Sequence, residues 1–281
     1  MPSMAVERLL ATDSVTASDV RCAGGCRHAS PLECSSSTHI VFPYHGVYVR
    51  HVGESSAVAD ANQMLFFNGG QEYRISHPVE GGDSCLSLSV AEPVLQELAP
   101  ASMLQPGGGM RFLRQHLRID ARTQALLASL RGLLQRGVAD ALQAETLCME
   151  LLRSAFGAYR SGAHEPSHGK RRLAERVKLL LSSDPARRWT LADIAAQTGG
   201  SAVYLTQVFQ QVEGMPLYRY QLQLRLARAL ALIDQYEDLS AMSFDLGFSS
   251  HSHFSASFRQ AYGRAPSAFR KMGKCGRHVA F

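Results

Sequence analysis

The sequence predicts an α+β protein of two domains, in which a small β-barrel or sandwich precedes an all-helical half. Short runs of β-branched and aromatic residues, separated by turn-forming residues, lie between residues 38 and 90. Beyond residue 120, apolar residues return at helical spacing. In the last third of the chain one helix-turn-helix pattern occurs twice. A chain of 281 residues is long enough for both domains.

Charge is divided unevenly along the chain. Residues 1–165 carry 13 Arg and no Lys against 16 Asp and Glu, whereas residues 166–281 carry 16 Lys and Arg against 8 acidic residues. A basic surplus confined to one domain is typical of proteins that bind polyanions. No apolar run reaches the roughly 18 residues that a membrane span needs, and the start of the chain lacks a secretion signal. We therefore expect a cytoplasmic protein without membrane contact.

The first 160 residues divide into two predicted segments. Residues 1–37 are rich in Ser, Ala and Cys and lack a clear periodicity, which predicts an irregular arm. Residues 38–160 form the predicted β domain, with strands at 39–42, 46–52, 63–67 and 85–90. Two amphipathic helices follow between residues 121 and 160, the second capped by Asp140.

The helical half follows a polar, Gly- and Pro-containing linker at 161–172, where the charge changes sign. In the first helix-turn-helix unit, Thr190 and Ser201 are the predicted N-caps of two short helices joined by a glycine turn. The second unit repeats this pattern from Leu239 to Tyr262. A helix from Leu217 to Tyr236 connects the two units.

These motifs resemble the DNA-binding domain of the AraC/XylS family of transcription regulators over residues 173–272, followed by a tail at 273–281. The resemblance is carried by Leu191-x-x-Ile194-Ala195, Tyr204-Leu205-x-x-x-Phe209, Arg225-Leu226-x-Arg228-Ala229-Leu230, Gly247-Phe248-Ser249, Phe254-x-x-x-Phe258-Arg259 and Gly263-x-x-Pro266. It implies seven helices, two helix-turn-helix motifs and a sequence-specific transcriptional regulator, expected to be an activator, rather than an enzyme.

Carried over by position, the resemblance assigns DNA contacts to both helix-turn-helix units. The implied base-contacting residues are Val203, Thr206, Gln207, His251, Ser252, Ser255 and Ala256. The side chains better placed for phosphate are Ser201, Arg219, Arg259 and Arg264. The implied partners are double-stranded promoter DNA, RNA polymerase and a second copy of the chain.

Many members of the family place a cupin-like sensor barrel and two dimerising helices before this module, and residues 38–160 resemble that arrangement. An effector pocket would then be lined by Phe42, Tyr48, Phe66, Tyr73 and His77, unless these side chains fill the barrel themselves.

A group of cysteines near the start of the chain offers a second kind of sensor. The candidate ligands for zinc or another metal, or for reversible thiol oxidation, are Cys22, Cys26, His28, Cys34 and Cys85. The spacing is loose, so the sequence is equally compatible with cysteines that have no common function. The alternative function is a DNA-repair methyl-acceptor protein, which would carry the same DNA module behind a zinc-bound cysteine cluster. The effector itself is not identified by the sequence.

Overall fold

The computed structural model describes residues 4–24, 28–106, 110–157, 159 and 166–275, with side chains up to residue 271. In these ranges a β domain of two sheets and three α-helices precedes seven further helices. The predicted fold class, α+β with a small cupin-like barrel before a seven-helix domain, is confirmed. None of the described helices is both long and apolar enough to cross a membrane.

The β domain consists of two antiparallel sheets. The strands are β1 (Met4–Ala11), β2 (Val15–Cys22), β3 (Glu33–Cys34), β4 (His39–Gly46), β5 (Tyr48–Val52), β6 (Ser55–Ala59), β7 (Gln63–Phe67), β8 (Glu72–Ser76), β9 (Asp83–Val90) and β10 (His116–Arg118). One sheet has the order β1-β2-β9-β4-β7-β10 and the other the order β3-β8-β5-β6. The sheets enclose an interior to which strands of both contribute side chains.

Strand β7 shows how the two faces of the larger sheet are used. Leu65 and Phe67 face the space between the sheets, while Met64 and Phe66 pack on the opposite face, since successive side chains of a strand alternate. The interior also holds Arg50, which is fully buried. Its guanidinium carbon lies 3.9 Å from the centre of the Phe67 ring, and its Nη1 donates to the carbonyl of Phe66 at 2.6 Å. The barrel interior is therefore filled.

Three helices cover the outer face of the larger sheet: α1 (Glu92–Leu98), α2 (Ala121–Arg136) and α3 (Ala141–Gly157). The backbone N–H of Thr123 donates to the Asp120 side chain at the start of α2, and α2 ends where Gly137 adopts a left-handed conformation. The ring of Phe66, on β7, stacks against the ring of Phe156, on α3, and the two ring centres lie 6.2 Å apart. The two predicted amphipathic helices thus complete the core of the β domain.

The prediction of an irregular arm at 1–37 is wrong for residues 4–22, which form two strands. Strands β1 and β2 form a hairpin, and β2 pairs along its length with β9. Val15 and Ala17 are buried and alternate with half-buried residues, as in a strand with one face on a core. The pattern escaped notice in the sequence because its buried positions include small and polar side chains, such as Ala17 and Asp19, which give little hydrophobic contrast.

The helical half contains α4 (His168–Ser183), α5 (Leu191–Thr198), α6 (Ala202–Glu213), α7 (Leu217–Leu232), α8 (Leu239–Asp245), α9 (His251–Tyr262) and α10 (Pro266–Cys275). Three boundaries differ from the sequence prediction. The connecting helix α7 ends at Leu232 rather than at Tyr236. Helix α4 starts at His168, inside the predicted linker 161–172, because no helix breaker follows Gly169. Helix α10 runs into the predicted tail 273–281 and ends at Cys275.

The two halves pack directly against each other. Helix α4 lies on β6, and its Leu179 joins Val49 and Val58 in a small apolar cluster. Helix α7 contacts both β4 and α2, while α2 also contacts α9. The β domain therefore touches both helix-turn-helix units.

Candidate DNA-binding surface

The first helix-turn-helix unit consists of α5 and α6. Thr190 and Asp193 form a reciprocal capping box at the start of α5, and the backbone N–H of Tyr204 donates to the Ser201 hydroxyl at the start of α6. Gly199 and Gly200 turn the chain between the helices with φ of 80° and 93°, values that favour glycine. Local hydrogen bonds thus fix the angle between α5 and α6.

The second unit, α8 and α9, is built on the same plan. Side chains of Asp238 and Ser250 accept backbone N–H groups at the starts of the two helices. Phe254 and Phe258 are fully buried and hold α9 against α8. The opposite face of α9 is left to solvent.

The predicted base-reading positions of α6 have different exposures. Val203 is 66% exposed, and Gln207 is also exposed. Thr206 is half-buried, and its hydroxyl donates to the carbonyl of Val203 at 2.8 Å. Gln207 is therefore the long polar side chain of this set that projects from the helix.

In α9, the corresponding positions carry shorter side chains. His251, Ser252 and Ala256 are exposed, and Ser255 is half-buried with its Oγ 3.4 Å from Nε2 of His251. The neighbouring His253 turns away from this face. Its Nδ1 lies 3.2 Å from the Ser249 hydroxyl, and its ring packs edge-on against Phe248.

The four residues assigned to phosphate lie on the helical half. Arg219 and Arg259 are exposed, and Arg264 is half-buried. Ser201 is exposed but already serves as the cap of α6, so it would approach phosphate through the helix N-terminus rather than as a free hydroxyl.

Helix α7 joins the two units through two separate cores. Its first half, with Tyr220 and Leu224, packs into the core of the first unit. Its second half, with Leu226 and Leu230, packs into the core of the second unit. One helix therefore sets the distance between α6 and α9.

Arg225, at the middle of α7, fixes this joint. Its guanidinium donates to the carbonyls of Pro185, Ala186 and Arg187 in the loop before α5 and to the carbonyl of Gly247 in the turn after α8. Gly247 has φ of 81°, and a Cβ there would collide with the carbonyl of Ala186. The contacts of Arg225 and Gly247 thus join the two units where the loop before α5 meets the turn after α8.

Buried polar groups connect the β domain to the helical half. Lys178 of α4 is fully buried, and its Nζ lies 2.7 Å from Oε1 of Glu175 and 3.2 Å from Oε1 of Glu213. Burial opposes the positive charge, but the two carboxylates raise the pKa of Lys178 overall. Gln63 of β7 donates to Glu213 at 3.3 Å, and Arg118 of β10 donates to its backbone carbonyl.

A second buried carboxylate, Asp60, lies after β6. It accepts hydrogen bonds from Tyr220 and Ser182 of the helical half, both at 2.8 Å. Burial raises the pKa of Asp60 to about 6. Sequence reasoning did not find this interface; the available signal was Lys178 within the apolar helical run from Leu173 to Leu181.

A cleft of about 370 Å³ opens beside these groups, between β6, β10, α4 and α6. Four arginines line it, two from each half: Arg114, Arg118, Arg171 and Arg172. They outnumber the two carboxylates in the lining, those of Glu175 and Glu213. His116 also lines the cleft, and burial lowers its pKa to about 3, so it stays neutral at physiological pH. The cleft combines positive charge with a location between the two halves.

The structure does not gather the predicted effector-pocket residues around one cavity. Phe42 and Phe66 belong to the core under the helices, whereas Tyr48 and Tyr73 belong to the cluster between the sheets. The fifth, His77, is buried against Asp83. Tyr48 and Tyr73 come from strands of the smaller sheet, so the two pairs of aromatic side chains fill space on opposite sides of the larger sheet rather than lining one pocket.

The predicted metal or redox group is also not assembled as proposed. Cys26 lies outside the described residues, while His28 and Cys34 are exposed. Cys85 is buried, and burial raises the pKa of its thiol well above the usual range. Among described residues, Cys22 meets His77 and Asp83 instead, because the sheet pairing joins strand ends that are far apart in sequence.

Comparison with known proteins identifies the helical half. The family described as "Helix-turn-helix domain" matches residues 194–272. The HTH-type transcriptional regulator YidL of Escherichia coli K12 is 32% identical over 114 residues, which cover 40% of this chain and 37% of that protein. The HTH-type transcriptional activator RhaR of Klebsiella pneumoniae is 28% identical over 118 residues, covering 41% of this chain and 42% of that protein.

The chain thus spans about two fifths of the length of these curated relatives. A solved AraC-type DNA-binding-domain protein of Chromobacterium violaceum is 27% identical; the match covers 39% of this chain and 98% of that chain, with a TM-score of 0.36. The relatives are transcriptional regulators, and the paired helix-turn-helix units lie in the aligned segment. Residues 194–272 thus form an AraC-type helix-turn-helix domain, similar to those of DNA-binding transcriptional regulators.

Proposed function

We propose that the chain is a sequence-specific regulator that reads promoter DNA with α6 and α9 together. The observation that carries this proposal is the joint at Arg225, which fixes two exposed reading helices relative to each other. Helix α7 has 16 residues, or about 24 Å at 1.5 Å per residue. One turn of B-DNA is roughly 34 Å. The length of α7 is of the same order as one turn but about 10 Å shorter. In this proposal α6 and α9, which pack on the two halves of α7, enter successive major grooves on one face of the duplex.

The two helices contribute unequally in this proposal. An exposed glutamine such as Gln207 is able to pair bidentately with adenine, and His251 is able to donate to guanine. Ala256 offers only an apolar contact. We therefore expect an asymmetric site in which α6 reads at least as much sequence as α9.

The β domain is proposed to bind an anionic effector in the cleft between the halves. Four arginines line this cleft, and its walls come from both halves of the chain. A bound anion would contact β10 and α4 at once, next to Glu213, which pairs with Lys178 of α4 and accepts a hydrogen bond from Arg118 of β10. An effector changes DNA affinity only when it prefers one arrangement of the halves, and a cleft at their junction meets that condition.

Activation and dimerisation complete the proposal. An activator would contact RNA polymerase, and RhaR, one of the matched relatives, is named as an activator.

Dimerisation through the β domain is supported by Leu142 at the start of α3 and by Val138 just before it, which are 73% and 50% exposed. Light scattering of the full chain and transcription from a promoter carrying its site test these two partners.

Selection of duplexes from a random pool tests the DNA-binding proposal directly. The full chain should enrich one bipartite site, with two contacted segments about one helical turn apart. Inserting about 5 base pairs between the segments should abolish specific binding, because it moves them to opposite faces of the duplex. Since the joint at Arg225 is rigid, an insertion of about 10 base pairs should not restore affinity. Enrichment of no sequence, or indifference to the 5-base-pair insertion, would refute the proposal.

A further inference from the structure

Three potential metal ligands meet where strand β2 ends and β9 begins. Cys22 and Asp83 are directly opposite each other in the antiparallel pairing of these strands. His77 precedes the turn that leads into β9. One ligand atom from each of the three residues lies within 4.8 Å of the other two.

The two inner residues of this group are buried. His77 is 7% exposed and Asp83 is 6% exposed, and Nε2 of His77 lies 2.6 Å from Oδ1 of Asp83. The other ring nitrogen of His77, Nδ1, is buried and has no hydrogen-bond partner among the described residues. Because Nε2 is the nitrogen that faces Asp83, it is the atom through which His77 would share an ion with that carboxylate. Cys22 is half-buried and leaves a route from solvent.

The backbone around the group is closely packed at glycines. A Cβ at Gly82 would collide with the carbonyl of Cys22, and a Cβ at Gly46 would collide with the carbonyl of Gly82. Both glycines have positive φ, 68° in each case. The three strand ends therefore approach so closely that the positions of Cys22 and Asp83 are fixed before any ligand binds.

We propose that Cys22, His77 and Asp83 form a binding site for a zinc ion. Thiolate, imidazole and carboxylate are the ligands zinc prefers, and calcium or magnesium would require mainly oxygen ligands. Zinc bonds of about 2.0–2.3 Å place tetrahedral ligand atoms roughly 3.3–3.7 Å apart. Nε2 of His77 and Oδ1 of Asp83, which lie 2.6 Å apart, therefore have to separate by about 0.7 Å when the ion binds between them. Binding releases the thiol proton of Cys22 to solvent, so thiolate and carboxylate together balance the 2+ charge.

Cys85 acts in this site as a positioning residue. Its Sγ lies 3.3 Å from Oδ2 of Asp83 and holds the carboxylate oxygen that does not face His77. Hydrogen bonds to a ligating carboxylate commonly fix its orientation. The site thus differs from a cysteine cluster, since a single thiolate is a direct ligand.

Metal titration of the full chain tests the site. After metal removal under reducing conditions, the protein should bind one equivalent of zinc, and cobalt(II) should give the intense charge-transfer band of a thiolate ligand. Cys22→Ser and His77→Gln should each weaken zinc binding at least about tenfold. Cys34→Ser removes an exposed thiol outside the group and should leave affinity unchanged.

The same experiment has clear contrary outcomes. Absence of both zinc binding and the cobalt–thiolate band in the wild-type protein overturns the proposal, and this readout does not depend on any variant folding. Retained affinity in Cys22→Ser together with its loss in Cys26→Ser assigns the metal to other residues and also overturns it. Circular dichroism of metal-free Cys22→Ser and His77→Gln distinguishes a lost ligand from a lost fold.

Discussion

At the scale of single residues, Gln207 and Arg259 offer the two kinds of contact that a DNA-binding surface needs. Both side chains are exposed, one on α6 and the other on α9. An amide has a donor and an acceptor in one plane and so distinguishes adenine from other bases. A guanidinium beside the backbone neutralises phosphate without regard to sequence.

Substituting these residues should therefore have different effects. Gln207→Ala should reduce discrimination by about 1–3 kcal/mol at one base pair, while affinity for random DNA stays unchanged. Arg259→Ala should weaken binding to all duplexes and reduce the salt slope by about 1. Fluorescence anisotropy on the selected site and on random DNA, across a range of salt concentrations, measures both effects.

Gln235→Ala is the matched control, since it removes an exposed glutamine that lies outside α6 and α9. It should leave affinity and specificity unchanged. Equal losses on specific and random DNA for Gln207→Ala would show that Gln207 does not read a base.

Residues whose role is set by near neighbours could be predicted from the sequence, but residues with distant partners could not. Thr190 and Ser201 cap their helices as expected, because a cap depends on a backbone group within three residues. Asp60 bonds to Tyr220, 160 positions further along the chain. No spacing rule connects two such residues, and only the fold brings them together.

At the scale of elements, Gly247 sets how closely the second unit approaches the first. Its φ of 81° favours glycine, and its α-carbon faces the carbonyl of Ala186. Gly263, which ends α9, also has positive φ, at 72°, but a Cβ there would meet no atom within 4 Å. A comparison of the two glycines therefore distinguishes the cost of backbone strain alone, at Gly263, from the cost of strain plus close packing, at Gly247.

Gly263→Ala should destabilise the protein by about 1–2 kcal/mol, the cost of a left-handed alanine. Gly247→Ala should cost more, because the loop at Ala186 must also move, and it should weaken binding to the bipartite site. Urea unfolding and DNA affinity of the two variants provide the comparison. Equal unfolding free energies would mean that the contact with Ala186 does not hold the joint.

Elements with strong periodicity were predicted well, and weakly apolar strands were missed. Helices α2, α3 and α5 to α9 follow apolar stripes or capping signals, and β7 is a continuous apolar run. Strands β6 and β8 went unrecognised because Ser55, Ser56 and Glu72 dilute the alternation. Such strands form because neighbouring strands supply hydrogen bonds, and this information is not local.

At the scale of the whole molecule, the arginine-lined cleft lies at the junction of the two halves. The sequence predicts two domains separated by a linker, whereas the structure interlocks them through buried polar groups. Glu213, which forms the buried ion pair with Lys178, accepts hydrogen bonds from Gln63 and Arg118 of the β domain, and Asp60 accepts hydrogen bonds from the helical half. Breaking a buried ion pair costs several times more than breaking one at the surface. A ligand that moves these buried groups can therefore change the relative free energies of two arrangements of the halves by a large amount.

An anion should stabilise the wild-type chain through this cleft. Citrate is a suitable probe, and it should raise the melting temperature of the wild type more than that of Arg172→Glu, which reverses a charge in the cleft wall. Arg122→Glu makes the same change at an exposed position of α2 outside the cleft and should respond like the wild type. An identical shift in all three proteins would show a general salt effect and exclude the cleft as the anion site.

The contacts of Arg225 have a consequence for how such a regulator can diversify. This side chain recognises only main-chain carbonyls, of Pro185, Ala186, Arg187 and Gly247. Substitution of the first three residues removes none of those acceptors, so the spacing of the two units does not depend on their side chains. The exposed faces of α6 and α9 are likewise separate from the joint. New operator sequences can therefore be acquired one exposed side chain at a time, without rebuilding the scaffold that sets the distance between the two grooves.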